Sequence, residues 1–411
     1  MMKIVVPKWQ LDNKNLTTIG LLVTIIAMEN FFYLIPSDLY IIGGIKYSDI
    51  GLIFAWLWML YEFIHFNFRF DKRESTIPIL FYLIILLSSI SGEYLLGQPI
   101  LLTIRQNRYL LTCMALYYIV LNSMYFGELD KRDITKIFVY IAVAESVLYI
   151  TQYFLGANIK FLNIAVDTRY GSARLRSNYL FILIFMYFCL GRLMSKKKYI
   201  FISLIGLMNG VYIMMVVVKN RAPVLIMLLT FLIAYLLWNA DISKKVSVLF
   251  LLILVGVIFY HTSIIQNSIN TIKYGDAIGT QNTAIREVGR RYYLQKIQQS
   301  PLLGYGEPNI NYGPAYSESG ANFDIFLADN GIFGFLYCHG LIGGIWLVLL
   351  FVQMFKQAFS LLKEKNEYAF ILYSSFEFLN LYMGMHWYYY YALPFVLFLC
   401  ILNYEYNMRR S

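Results

Sequence analysis

Apolar residues recur along most of the chain in runs of about twenty, separated by short polar stretches. A helix needs ~20 apolar residues to cross a bilayer, so runs of this length predict spanning helices rather than helices of a water-soluble core. Twelve are expected, near residues 16–35, 48–66, 77–96, 109–127, 134–156, 178–194, 199–218, 222–238, 246–262, 330–354, 368–384 and 387–404. Lipid offers backbone N–H and C=O groups no partner, and no series of ten-residue alternating strands appears, so helix is the expected element throughout. The fold class predicted is therefore all-α: a polytopic integral membrane protein, with residues 1–411 forming one membrane domain. One segment breaks the rhythm. Residues 263–329 are far longer than a helix–helix link requires, and such segments are usually functional or disordered. This one does not read as disordered, because Arg286 to Ser300 carries a helical pattern that stops at Pro301.

Composition agrees with this reading. Hydrophobic residues make up 59% of the chain and charged residues 14%, against about 25% charged in a soluble domain. No cleavable leader pattern precedes the first span, where Lys3, Lys8 and Lys14 stand. The net charge of +10 would suggest nucleic acid in a soluble protein; in a membrane protein, Lys and Arg first set topology. With both termini cytoplasmic, 20 of the 34 basic residues fall inside, as 14 Lys and 6 Arg. The 14 outside are 5 Lys and 9 Arg. Topology needs only charge, whereas planar, multi-donor Arg suits phosphate and carboxylate recognition. The outward Arg excess points to an anionic ligand on the extracytoplasmic side, and no nucleic acid is expected.

Candidate residues follow from that sorting. Arg286, Arg290, Tyr293 and Ile297 follow helical spacing, so the two arginines share a face, with Arg291 about a quarter turn away. Arg221 opens a span in Lys219-Asn220-Arg221-Ala222-Pro223, where Asn220 can cap the helix and backbone N–H groups favour an external anion. Arg169, Arg174 and Arg176 precede the sixth span, and Arg105 and Arg108 the fourth. Among outer acids, Asp329 is both a candidate proton acceptor and a candidate N-cap for the tenth span, with Asp324 and Glu318 behind it. Glu29 and Glu145 lie inside apolar runs, where a Tyr, Ser or Asn partner would be needed. His386 to Tyr391 reads as an interfacial aromatic belt, and the cysteines Cys113, Cys189, Cys338 and Cys400 as packing residues. No HExxH, paired-Cys or DxD spacing occurs, so neither a metal site nor another cofactor is expected.

The order of these features resembles one family. An Asn220-Arg221-Ala-Pro span start comes first, then an Arg-led helix in a long outer loop. Ser300-Pro-Leu-Leu-Gly-Tyr-Gly306 follows, and Asp329-Asn-Gly-Ile-Phe-Gly leads through Gly340 into a span. This resembles the bacterial O-antigen polymerase/ligase superfamily, Wzy-type polymerases and their ligase relatives, over roughly residues 200–355 by motif. Arg286 stands about fifteen residues before Pro301, where the family carries an Arg. Ligases typically carry His-Asn where this chain has Asp329-Asn330, which turns the reading toward a polymerase.

The resemblance implies an architecture like that of the GT-C membrane glycosyltransferases, in the bacterial cytoplasmic membrane. It also implies transfer of an undecaprenyl-pyrophosphate-linked glycan onto another lipid-linked unit at the outer face, without a metal. Arg221, Arg286 and Asp329 would carry the reaction. Arg105, Arg108, Arg176, Arg290, Arg291, Glu318 and Asp324 would line the substrates. Membrane lipids and a chain-length regulator are the other candidate partners. A ligase using the same arginines and a lipid-linked-oligosaccharide flippase are the alternatives.

Overall fold

The computed structural model describes residues 13–36, 40–42, 45–65, 76–169, 172–195, 199–243, 245–246, 260, 266, 282–389 and 391–408. Most of the expected span at 246–262, most of the stretch 263–281 and the basic residues Lys3, Lys8, Arg69, Lys72, Arg73, Lys196, Lys197, Lys198, Lys244, Lys273, Arg409 and Arg410 lie outside them.

Helices α1 (Asn13–Met28), α2 (Tyr47–His65), α3 (Ile77–Leu96), α4 (Ile100–Gln106), α5 (Arg108–Tyr125) and α6 (Lys131–Leu155) make up the first part. The hairpins β1 (Tyr40–Ile42) with β2 (Ile45–Lys46), and β3 (Val166–Arg169) with β4 (Ser172–Leu175), are the only strands among the described residues. Helices α7 (Leu180–Met194), α8 (Ile200–Tyr212) and α9 (Arg221–Leu237) follow, α8 running on into a π-helical turn over Ile213–Val218. Then come α10 (Asn282–Gln299), α11 (Gly313–Glu318), α12 (Ile332–Lys365), α13 (Tyr368–Asn380), α14 (His386–Tyr389) and α15 (Ala392–Asn407).

Helix occupies eleven of the twelve expected span positions, and four segments are long and apolar enough to cross a membrane. These are Ile77–Leu96, Lys131–Leu155, Ile200–Val218 and Ile332–Lys365. Surface chemistry supports the same environment. On α12, Leu341, Ile345, Val348 and Val352 recur at helical spacing and each is at least half exposed, while Trp346, Leu350 and Met354 of the opposite face are buried. A continuous apolar stripe facing outward is unfavourable in water and favourable in lipid. The core sits where α7 packs against α6, α8 and α13, with α12 resting on α3, α13 and α15.

Helix ends show why the segments stop where they do. Pro78 fits the first turn of α3, where its missing N–H costs nothing, and Gly97 closes the helix in the left-handed region at φ 70°. The long α12 is one element interrupted at Gly340, whose φ of 59° and ψ of −161° no helix contains. The freed backbone is paired from outside: Leu341 N–H donates to Pro301 O at 2.8 Å and Ile342 N–H to Leu302 O at 3.2 Å. On the other side of the break, Tyr305 N–H donates to Tyr337 O at 2.8 Å and Gly306 N–H to Cys338 O at 2.9 Å. The Pro301–Gly306 turn therefore clamps the broken helix, supplying partners that lipid would not. A Cβ on Gly304 would lie 2.5 Å from Tyr337 O, and one on Gly340 2.4 Å from Leu302 O, which is why glycines stand there.

Candidate functional site

Helix α10 lies against the start of α12 and the 3-10 turn Leu327–Asn330. Gly289 permits this approach, since a Cβ there would lie 2.8 Å from the Asn330 amide. Tyr293 anchors the same helix: it is fully buried against Tyr337 and donates to Ser319 O at 2.8 Å. Anchored this way, α10 presents Arg286 and Arg290 to one place. Arg286 Nη2 donates to Asp329 Oδ1 at 3.2 Å. Arg290 Nη1 donates to Tyr382 OH at 2.7 Å, its guanidinium carbon 4.1 Å from that ring's centroid. The Arg290 Nε is buried and lacks a hydrogen-bond partner, and so does Asn330 Oδ1. A buried donor without an acceptor is costly, and an arriving anion would relieve it.

His386 of α14 completes this group. Its Nδ1 is 3.1 Å from Tyr179 OH and 3.2 Å from Asn380 Nδ2. An amide N–H can only donate, so Nδ1 accepts and the ring proton belongs on Nε2. Burial and the nearby Arg286 charge push the imidazole pKa down to about 4, with Asp329 acting in the opposite sense. At neutral pH it is an uncharged hydrogen-bonding group beside the ion pair.

Behind the site runs a second chain of polar contacts. Ser88 Oγ lies 3.0 Å from His339 Nδ1, His339 Nε2 lies 2.6 Å from Tyr388 OH, and Tyr388 OH donates to Glu307 Oε2 at 3.1 Å. A carboxylate has no proton to give, so Tyr388 spends its single proton on Glu307. His339 then donates from Nε2, and its Nδ1 shares the Ser88 hydroxyl proton with Ile85 O, 3.2 Å from the same Oγ. Burial raises the Glu307 pKa, while hydrogen bonds from Cys338 and Tyr388 oppose the rise. The chain ties the Pro301–Gly306 turn to α3, α12 and α14.

The remaining candidates fall into separate places. Arg291 turns outward, is mostly exposed and pairs with Glu287 at 3.2 Å. Glu318 is taken by Lys296, whose pKa is raised: burial lowers it, but the Glu318 hydrogen bond together with the charges of Tyr292, Glu318 and Tyr305 outweighs that. Asp324 is exposed, in the left-handed region at φ 57°. Asp329 does not cap α12; Gly331 holds the N-cap position, and Asp329 faces Arg286 instead.

Arg221 opens α9 as expected, with Asn220 at the N-cap position but making no side-chain capping bond. Beside it, Lys219 is buried at φ 50° and donates from Nζ to Ala173 O at 2.7 Å, so the β3–β4 hairpin is fastened to this helix start. Burial lowers the Lys219 pKa. On that hairpin, Asp167 Oδ2 accepts from Arg176 Nε at 2.9 Å, and Asp167 Oδ1 lies 3.8 Å from Arg174 Nε. Tyr179, three residues past Arg176, links the hairpin group to His386. Arg105 and Arg108 belong to a third group, around Asp49.

Sequence reasoning did not single out Tyr382, His386, His339 or Glu307. The aromatic run around His386 read as an interfacial belt, and only the fold shows its histidine turned toward Arg286. Of the buried acids, Glu29 accepts from Asn178 Nδ2 at 2.7 Å, the kind of partner expected, whereas both Glu145 oxygens lack a hydrogen-bond partner. The four cysteines are buried and none forms a disulfide among the described residues. Nor does any group of three His, Cys, Asp or Glu side chains that could hold a metal ion gather among them.

No protein-family model matches the chain, and no curated protein matches its sequence.

Proposed function

We propose that this protein is a membrane glycosyltransferase of the polymerase type. It acts at the outer face of the bacterial cytoplasmic membrane, with both termini inside. Its substrates would be two undecaprenyl-pyrophosphate-linked glycans, one donating its chain and one accepting it. The observation that carries the reading is the pair Arg286 and Arg290 on one helix face, with the buried Arg290 Nε lacking an acceptor.

In this reaction the acceptor hydroxyl oxygen attacks the donor's anomeric carbon. The bond from that carbon to the pyrophosphate oxygen breaks, and undecaprenyl pyrophosphate leaves with the electron pair. The leaving group already carries charge, so it needs stabilisation more than protonation. Preorganised guanidinium groups supply that. Asp329, 3.2 Å from Arg286, is the proton acceptor proposed for the hydroxyl. Arg221, which opens α9 two residues past the Lys219 that fastens the hairpin, would assist. A chain-length regulator would act from outside this site.

A flippase is a poorer fit. A flippase would carry its charged residues in a central cavity near the midplane, whereas here the arginine excess stands at span ends and in the one long segment between spans. A ligase shares the arginines but passes the glycan off its lipid. Product analysis decides between the two: longer glycan on undecaprenyl marks a polymerase, and glycan on another acceptor marks a ligase. Wild-type polymer from both the Arg221→Ala and the Arg286→Ala protein would overturn the proposal.

A further inference from the structure

Three segments far apart in sequence meet around a cavity of about 260 Å³, separate from the Arg286 site. The start of α2 and its preceding strand contribute Lys46 and Asp49, the α4–α5 junction Arg105 and Arg108, and the turn beyond Glu307 Asn309 and Asn311. The walls are fixed by their own bonds. Asp49 Oδ1 accepts from Arg108 Nε at 2.9 Å and Nη2 at 2.8 Å, and Asp49 Oδ2 accepts from Lys46 N–H at 3.1 Å. Arg108 Nη1 reaches on to Arg105 O at 2.9 Å. Asn309 is buried and fully engaged: its N–H donates to Gln98 Oε1 at 2.8 Å and its Nδ2 to Leu102 O at 3.1 Å. Its Oδ1 accepts from Asn311 N–H at 2.9 Å.

Two properties define what fits. Arg108 occupies the one carboxylate of the lining, Asp49, and Arg105 adds a further guanidinium beside it. The lining is chiefly amide and charged groups without an aromatic floor, which suits a small, hydroxyl-rich anion and not a lipid tail. The volume lies near the lower end for ligand pockets, ~300 Å³, enough for a sugar or two. Position adds the third point. Gln98 grips the turn twice, at Glu307 O (2.9 Å) and at Asn309 N, so this cavity and the Glu307–Tyr388 chain behind Arg286 are built on one rigid segment.

We propose that this cavity binds an anionic sugar group, a uronate carboxylate or a sugar phosphate, of the acceptor glycan. The assignment to an acceptor rests on the polymerase reading, because polymerisation needs two glycans held at once and the Arg286 site serves the pyrophosphate of one. Arg105 is the specificity residue: its exposed guanidinium offers paired donors to a carboxylate or phosphate.

The test uses the full-length protein in nanodiscs of phosphatidylcholine, titrated with a glucuronate-containing disaccharide and with glucose 1-phosphate. Saturable binding of either is expected, weakened about tenfold by Arg105→Gln and unchanged by Lys131→Ala at the Glu405 cluster. A parallel series in phosphatidylglycerol nanodiscs separates the sources of the anion. Arg105-dependent stabilisation by that lipid, with no saccharide binding, would make the cavity a headgroup site and overturn the assignment. Absence of binding in every arm, or binding indifferent to Arg105→Gln, would overturn it as well. Failure of the polymerase reading looks different: the saccharide still binds through Arg105, yet the wild-type protein lengthens no glycan.

Discussion

The two ends of α12 gather charge in opposite ways. Near its C-terminus, Glu405 is almost fully buried between two lysines: Lys131 Nζ lies 2.6 Å from Oε1 and Lys365 Nζ 3.3 Å from Oε2. Both carboxylate oxygens are taken by point charges on flexible stems. At the N-terminal end, arginines replace lysines and the contacts are incomplete. Arg286 touches one oxygen of a half-exposed Asp329, and the Arg290 Nε has no acceptor. The lysine cluster is satisfied by the protein itself, as an anchor requires. The arginine cluster leaves one buried directional donor, the Arg290 Nε, in reserve, as the proposed anion site would require. The contrast gives physical content to the sorting of Lys and Arg read from the sequence.

The strongest way to break this comparison is to delete one cluster at a time. Arg286→Ala should stop glycan lengthening, a loss on the order of 10²–10³-fold if the guanidinium stabilises the leaving pyrophosphate, while the protein still inserts. Arg286→Lys should not restore it, because a point charge lacks the planar fork. Electrophoretic sizing of the glycan, beside a membrane-fraction blot, reads both.

Next in size comes the clamp that holds the arginine end together. Gly340→Ala puts a Cβ 2.4 Å from Leu302 O at a positive φ, and a cost of about 3 kcal/mol is expected. Thermal unfolding in detergent should show it; an unshifted transition would contradict the clamp. Tyr388→Phe removes the middle of the Ser88–His339–Tyr388–Glu307 chain, leaving His339 and Glu307 short of a partner, and should cost about 1–3 kcal/mol.

Glu307 also gives a pH signature. Its pKa is raised from the ordinary 4.5, so the fold binds this proton more readily than the unfolded chain does. The stability that proton contributes is complete below 4.5 and is lost as pH rises through the raised value. Glu307→Gln, which keeps an oxygen for Tyr388 to donate to, should flatten that part of the stability–pH curve. A slope identical to that of the wild type would show that the titration belongs elsewhere. The smallest effect is expected at the lysine end. Lys131→Ala leaves Lys365 on Glu405 and should cost about 1 kcal/mol, with glycan length unchanged.

Much of the fold was legible because its causes are local. The α3 boundaries coincide with the expected 77–96 span, since Pro78 and Gly97 mark both ends in the sequence itself. Helix α10 begins four residues before the expected Arg286 start and ends within one residue of the expected stop, for the same reason. What stayed illegible depends on distant partners. The break at Gly340 exists because residues 301–306 supply its hydrogen bonds, and no periodicity in 330–354 reports that. The same holds for the site. Helical spacing put Arg286 and Arg290 on one face, but Tyr382 and His386 arrive from a different stretch of chain. Glu318, among the outer acids, turns out to be engaged by Lys296 one helix away.

The most direct test of the central claim is the length of lipid-linked glycan made by cells carrying Arg286→Ala, set beside Lys131→Ala and the wild type. The account predicts single, unextended repeat units on undecaprenyl for Arg286→Ala and wild-type lengths for Lys131→Ala. Wild-type lengths from a properly inserted Arg286→Ala protein would contradict it.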